Sequence, residues 1–545
     1  MLKLAATFLA VGLAPLTALA ADSHFAISGV QVTGEVPIRK NVNDLYAKGG
    51  PQWDLYLQAL KALQAKRADD PLSYFQVMGI HGQPYIEWNK GGAHRARGDG
   101  WDGYCPHGEN LFLPWHRPFV LLHEQLLVGE AVKIASKYPE KHRARYLQAA
   151  KTLRSPYWDW SLNSDVPPCT VPTTIAVNVP DGQGLKKQLI KNPLQSFDYP
   201  QAARDGQFGG FPNYQRTERC PAPQSYPQSA NANLAQLGLK QSTYDAFTYS
   251  QTFDDFAVSR QSGLGVEQMH NSIHWDAGCG GQFVNPAVAG FDPIFMLHHT
   301  HVDRLWAYWN FINPSQSSFS DSYNGDARYS TEQNTLITPD SPLPPFYDAN
   351  NTYYTPATVA SIQGMGYTYE ALEYWNKSPQ QLQQDAIKLM NKLYGPSQLP
   401  GKRAATQDNT RYFARVELDR EHVERPCSIR VFVGGKPAAS AVVMQLPQTG
   451  IMHASVPVDE QMQHAFAQTP SSNGTMSSVE KLVEVEIRKV DGTVIPLSTV
   501  SSLKISLQKV AVTPAKSDTE FPTPGKVVKQ RVRLRDRHRE TKSTS

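Results

Sequence analysis

The chain has 545 residues, 40% hydrophobic and 19% charged, with a formal net charge of +4. That length exceeds what one hydrophobic core usually supports, so two domains are expected from a composition typical of soluble globular proteins. So small a charge on so long a chain excludes recognition of a partner by bulk charge, and no nucleic-acid partner is expected.

Residues 1–20 combine Lys3, a mostly apolar run and the small-residue triplet Ala18-Leu-Ala20, the pattern of a secretory signal, so a secreted chain starting near Ala21 is expected. Pro15 and Thr17 interrupt that run, and no later stretch reaches about 18 uninterrupted apolar residues, so no membrane span is expected. Leu55, Leu57, Leu60 and Leu63 predict a helix over residues 53–66. Phe119, Leu122, Leu126 and Leu127 predict another over 118–137, its stripe belonging to the core. Residues 91–103 are glycine-rich around Arg95 and Arg97 but lack the Gly-Lys-Ser/Thr sequence of a phosphate cradle. Residues 167–228 and 314–356, rich in turn formers, predict long loops wrapping the helices.

A helical pattern over 372–394 ends at Gly395-Pro-Ser, with the dibasic pair Lys402-Arg403 beyond it. The periodicity then changes. Residues 412–418, 428–433 and 479–487 are short alternating or β-branched runs between turn residues, which predicts strands and a C-terminal β-sandwich over 405–510. Eight Lys or Arg follow Pro524 among few large apolar residues, so residues 511–545 are expected to form a disordered basic tail. Asn350, Asn376 and Asn473 head Asn-x-Ser/Thr triplets, glycan acceptors on a secreted chain. Five cysteines, an odd count on a secretory route, leave one to be explained.

The chemistry concentrates in histidines. His270 and His274 stand four apart, so on a helix their imidazoles share one face. His299, in a second helical stretch over 297–309, can bring a third. Imidazole suits copper, zinc, iron or nickel. Asn271 and Ser272 occupy the places between the pair where a zinc peptidase would need Glu, so that reading is set aside. Upstream lie Ile80-His81-Gly82, Cys105-Pro-His107 and Leu113-Pro-Trp-His116-Arg-Pro-Phe, with Glu124 closing the run.

The spacing His107, Phe112, Trp115-His116-Arg117, Glu124, followed by Asp292-Pro-x-Phe295, His299 and Asp303, resembles the two copper signatures of the tyrosinase family of type-3 dinuclear copper proteins. The resemblance spans roughly residues 30–400. It implies a mainly α catalytic domain over 21–404, a four-helix bundle around the copper pair with long loops, and a β domain that covers the active-site mouth. It assigns copper A to His81, His107 and His116 and copper B to His270, His274 and His299. His298 aligns with a non-ligand, and His94, His123 and His301 have no ligand counterpart. It also implies a thioether between Cys105 and His107, which would leave Cys169, Cys220, Cys279 and Cys427 with three pairings open. Residues 157–160 resemble a segment buried beside the copper helices.

The activity implied is that of a copper oxidoreductase using dioxygen as co-substrate. It would hydroxylate monophenols and oxidise o-diphenols to o-quinones, as in melanin or phenolic metabolite formation. A catechol oxidase, an o-aminophenol oxidase or a dedicated secondary-metabolite oxidase is the alternative, and a dioxygen carrier the rival from another class. Carriers of this kind are arrays of repeated units, and the chain shows one unit without internal repeat. Glu267 lies three residues before His270 and Asn271 follows it, the resemblance suggesting that the pair holds a water acting as base toward a phenol. Asp303, one turn past His299, is expected to accept from the metal shell, and Phe295 to pack on the site. Residues 284–288 are expected to form the pocket wall. The sequence leaves the oligomeric state open.

Overall fold

The computed structural model describes residues 24–95, 101–258, 264–396, 410–467 and 476–537. The expected signal, the Lys402-Arg403 pair and Asn473 lie outside them.

Helices α1 (Pro51–Gln64), α2 (Phe112–Ala135), α3 (Leu239–Tyr249), α4 (Val266–Gly278), α5 (Ile294–Ile312) and α6 (Pro379–Tyr394) frame the larger domain. Pro51 opens α1, where a missing N–H costs nothing. The helical pattern expected from residue 372 becomes regular helix only at Pro379. There Ser378 and Gln381 form a reciprocal capping box. Helix α2 starts earlier than its apolar stripe suggested and carries Pro118 inside it, which leaves the Pro114 carbonyl without its helical donor. Helix α5 is buried on nearly every face although His298, His299, Thr300, His301, Asp303 and Arg304 lie in it, so its polar groups must find partners inside the protein.

Buried charges tie these pieces together. Asp303 on α5 accepts from Arg117 Nε at 2.6 Å, Arg39 Nη1 at 2.9 Å, Tyr367 at 2.8 Å and Tyr369 at 2.7 Å. Burial alone would raise its pKa, but Arg117 and Arg39 outweigh that and hold it below the usual carboxylate range. Arg39 also donates to Glu124, so one cluster joins the N-terminal segment, α2, α5 and the segment 367–369, where Thr368 bridges to Ile38.

Within the region expected to be loop, strands β1 (Thr174–Asp181) and β2 (Gly184–Lys191) pair antiparallel. Gly182 and Gln183 form the two-residue turn between the paired Asp181 and Gly184, with Gly182 at φ +56°. Ile175 and Val177 face the core, with the half-buried Ala176 between them on the other face.

The C-terminal region folds as two four-stranded antiparallel sheets. In sequence order the strands are β3 (Thr410–Asp419), β4 (Cys427–Val433), β5 (Lys436–Val443), β6 (Ile451–Pro457), β7 (Val483–Lys489), β8 (Val494–Ile495), β9 (Lys504–Thr513) and β10 (Thr523–Arg531). The sheet orders are β8-β7-β4-β5 and β10-β9-β3-β6. Val416, Leu418, Ile429, Val431, Val485 and Ile505 share one core between them. The expectation of a disordered tail from residue 511 is corrected. Strand β9 runs to Thr513, β10 pairs with it, and the chain then crosses to β7, where Val485 and Asp536 bridge. Val532 and Leu534 alternate with arginines there and turn inward, an apolar period masked by the high Lys and Arg content. The connection between β9 and β10 docks on the larger domain, where Phe521 packs against Tyr244 and Phe247 and Asn391 donates to Asp518 and Glu520 carbonyls. A bidentate pair of Arg411 on β3 with Asp245 on α3, at 2.7 and 2.8 Å, adds a second tie. Among the described residues no helix is long and apolar enough to cross a membrane.

Candidate metal centre

The six histidines come from five places. His116 projects from α2, His270 and His274 from α4, and His299 from α5. His81 follows the short helix Tyr74–Gly79, and His107 sits in the loop before α2. Backbone carbonyls orient three of the rings. His81 Nδ1 donates to Pro286 at 2.9 Å, His116 Nδ1 to Phe112 at 2.7 Å and His274 Nδ1 to Phe283 at 2.8 Å. A carbonyl only accepts, so the proton stands on Nδ1 and Nε2 keeps a free lone pair. His270 Nδ1 faces Asn271 Oδ1 at 3.0 Å in the same sense.

The Nε2 atoms of His81 and His116 are buried without a hydrogen-bond partner. An orphaned buried lone pair is costly, and a metal ion removes the cost, so these residues fit one. Within each triad the ring centroids lie 5.4–5.7 Å and 4.5–5.8 Å apart, respectively. His116 and His299 stack at 4.5 Å, so the triads face one another. Burial lowers the pKa of all six, to about 3 for His116 and about 4 for His274, keeping them in the neutral form that ligates.

His298 also lies among the second triad. The Trp160 indole N–H donates to its Nδ1 at 3.0 Å, so the neutral ring carries its proton on Nε2 and offers no lone pair there. His123 and His301 are buried against Ser155 and Ser161, and His94 pairs with Asp102. Phe295 packs between the triads, 4.1 Å from the His299 ring and 4.9 Å from His81. Asp303, expected to serve the metal shell, is instead taken up by Arg39, Arg117 and the two tyrosines. Glu267 is buried and accepts from the amide of Gly108, next to His107, which links the first turn of α4 to the first triad.

Cys105 Sγ lies 3.6 Å from His107 Nδ1, and burial pushes its thiol pKa up. The pairing left open by the sequence is Cys220 with Cys279, while Cys105, Cys169 and Cys427 are free and buried. Cys279 caps α4 in a left-handed conformation, five residues past His274.

The space enclosed by the histidines is about 10 Å³, lined by His81, His107, His270, Asn271, His274, Pro286, Met444 and Leu446. The last two come from the C-terminal domain, just past β5. Gly108 makes their approach feasible, since a Cβ there would stand 2.5 Å from Pro447 Cγ. Sequence reasoning missed Met444, Leu446 and Pro447. The signal was an i, i+2 apolar pair running past a strand end into proline. It also missed Phe283, whose carbonyl holds His274, and the role of the Pro286 carbonyl in holding His81, although Pro286 falls within 284–288, the segment expected to wall the pocket, and lines the space.

Residues 71–312 match the common central domain of tyrosinase. The chain is 32% identical to polyphenol oxidase 2 of Agaricus bisporus over 415 residues, 73% of this chain and 72% of that one. It is 31% identical to the tyrosinase of Podospora anserina over 483 residues, 82% and 80% of the two chains. In fold it matches recombinant mushroom tyrosinase with a TM-score of 0.79 at 22% identity, over 94% of this chain and 99% of the other. The family implies a dinuclear copper site, and the two facing histidine groups fit it. Both triads thus sit within or beside the shared domain, and the likeness extends through the C-terminal sheets, so the chain belongs to the tyrosinase family of copper oxidases.

Proposed function

We propose that this chain is a secreted phenol oxidase that hydroxylates monophenols and oxidises o-diphenols to o-quinones. The observation that carries the reading is the pair of facing imidazole triads, with the Nε2 atoms of His81 and His116 buried and unpartnered in the first and those of His270 and His299 turned toward each other at 3.3 Å in the second. His81, His107 and His116 would hold one copper ion and His270, His274 and His299 the other. When bound, the copper pair supplies the activation and two-electron reduction of dioxygen. The chain's own residues do the rest. Carbonyls of Pro286, Phe112 and Phe283 fix ring orientation, and Phe295 fills the space between triads so that neither can shift. A phenol has a pKa near 10, so at neutral pH its hydroxyl needs a base before it can bind metal. We assign that task to a water held by Glu267 and Asn271, both buried on α4 beside His270.

In the same reading the helices around the histidines form a four-helix bundle, and the two C-terminal sheets form a β-sandwich lid. A cavity of about 10 Å³ is at the lower limit for one water and admits no phenol ring, which supports a covered, latent state.

Oxygen uptake with tyramine and with 4-methylcatechol tests the activity, before and after limited proteolysis of the full-length copper protein. Both substrates should be turned over, and proteolysis should raise both rates. No catechol oxidation in either form rejects the enzyme in favour of a carrier, and equal rates before and after cleavage reject the lid. The variants Asn271→Gly and Glu267→Gln should lower tyramine hydroxylation by about tenfold, roughly 1.4 kcal/mol of barrier, with a much smaller fall on catechol. Equal losses on both substrates reject the base.

A further inference from the structure

We propose that the Met444 thioether binds copper in the covered state, filling the coordination face that the six imidazoles leave open. The inference rests on the lid reading above and adds a chemical role to one lid residue.

Three observations carry it. Met444 and Leu446 line the same small space as His81, His107, His270 and His274. Successive alternate residues of an extended chain face one way, so both side chains reach the cavity from one short segment. The space is about 10 Å³, so a metal ion there has almost no room for a water ligand, and its remaining position is filled by protein or by nothing. Among the residues lining that space, the chemistry of the donors then decides. Pro286 and Leu446 offer no side-chain donor, and Asn271 Oδ1 is engaged by His270 Nδ1. Met444 alone brings a soft, polarisable sulfur on a flexible stem. Thioether sulfur selects the reduced cuprous ion over its harder neighbours. A purely apolar plug would be served equally by leucine, which the chain places two residues on at Leu446.

The covered protein then holds its metal reduced and retained, with sulfur in place of substrate. Opening the lid removes the sulfur and frees the same coordination face. No bond is made or broken in Met444 itself.

The experiment uses the full-length, copper-loaded, reduced protein. Copper-edge X-ray absorption should show a sulfur atom in the first coordination sphere of the wild type and of Leu446→Val, and none in Met444→Leu. Leucine conserves volume closely enough for the plug to keep its shape. The Cys105 sulfur is common to all three proteins and cancels. Transfer of copper to the cuprous chelator bicinchoninate should be about tenfold faster from Met444→Leu than from wild type, the scale by which even an outer-shell partner changes metal affinity. Wild type without first-sphere sulfur, or equal copper transfer from wild type and Met444→Leu, overturns the proposal. If sulfur is absent while proteolysis still raises the oxidase rate, the lid stands and Met444 is a filler. If sulfur is absent and proteolysis changes nothing, the lid reading has failed with it.

Discussion

Asp303 has four donors within 2.9 Å, which is how a buried carboxylate stays ionised. Removing it by Asp303→Ala leaves Arg39 and Arg117 with buried, under-compensated charge. Chemical denaturation should register a loss of about 3–5 kcal/mol, and Asp303→Asn, which still accepts hydrogen bonds, should lose less. Cys105 is a residue-scale case of another kind. Its sulfur is free, buried and 3.6 Å from His107, which supports the expected thioether. The mass of the copper-loaded protein should then fall two hydrogens below the uncrosslinked value, and quantitative alkylation of Cys105 after unfolding would reject the link. The clustered histidines were legible because their spacing is written in side chains: i, i+4 on α4, and fixed distances from Trp115 and Asp292. Phe283 and Pro286 were not, because a carbonyl leaves no mark in a sequence and gains its role only when a distant imidazole arrives.

Helix α4 carries His270 and His274 and ends at the disulfide. The bond from Cys279 to Cys220 closes a loop of 59 residues around the segment that leads into the helix. On the chain-entropy account a loop of that size is worth about 4 kcal/mol, an upper figure. The double variant Cys220→Ser, Cys279→Ser should therefore unfold at lower denaturant and release copper faster, through fraying of the α4 end near His274. Unchanged unfolding would mean that α4 is held by packing alone. Long, one-sided elements such as α1 and α2 were readable from their apolar period. The β1–β2 hairpin was missed because its flanking region is rich in turn formers, and β10 because it is a mostly exposed edge strand without an apolar period, while arginines hide the alternation of Val532 and Leu534 just past it.

At the scale of the molecule, acid is the condition that tests the buried histidines together. His123 is buried against Ser155, away from both triads, and burial lowers its pKa from 6.5 to about 4, with Arg39 adding to the effect. A depressed folded pKa means stability that is intact above about pH 6.5 and lost as the pH falls toward 4, because the unfolded chain takes up the proton first. The cost is on the order of 3 kcal/mol for this one group. Unfolding midpoints of the metal-free protein should drop across that window, and His123→Gln should flatten the drop. An equal slope in the variant would place the acid sensitivity elsewhere.

The strand order of the C-terminal domain has a temporal reading. β9 sits between β10 and β3, and β10 comes after every other strand in the chain. On the ribosome, the histidine-bearing helices emerge and can pack long before residues 523–531 are translated. The sheet that carries β3 and β6 stays incomplete until then, lacking the edge strand opposite β6. Translation itself thus provides an interval in which the nest of imidazoles is open to an incoming ion. On the lid reading proposed above, the order of synthesis then gives the order of maturation: metal first, cover second.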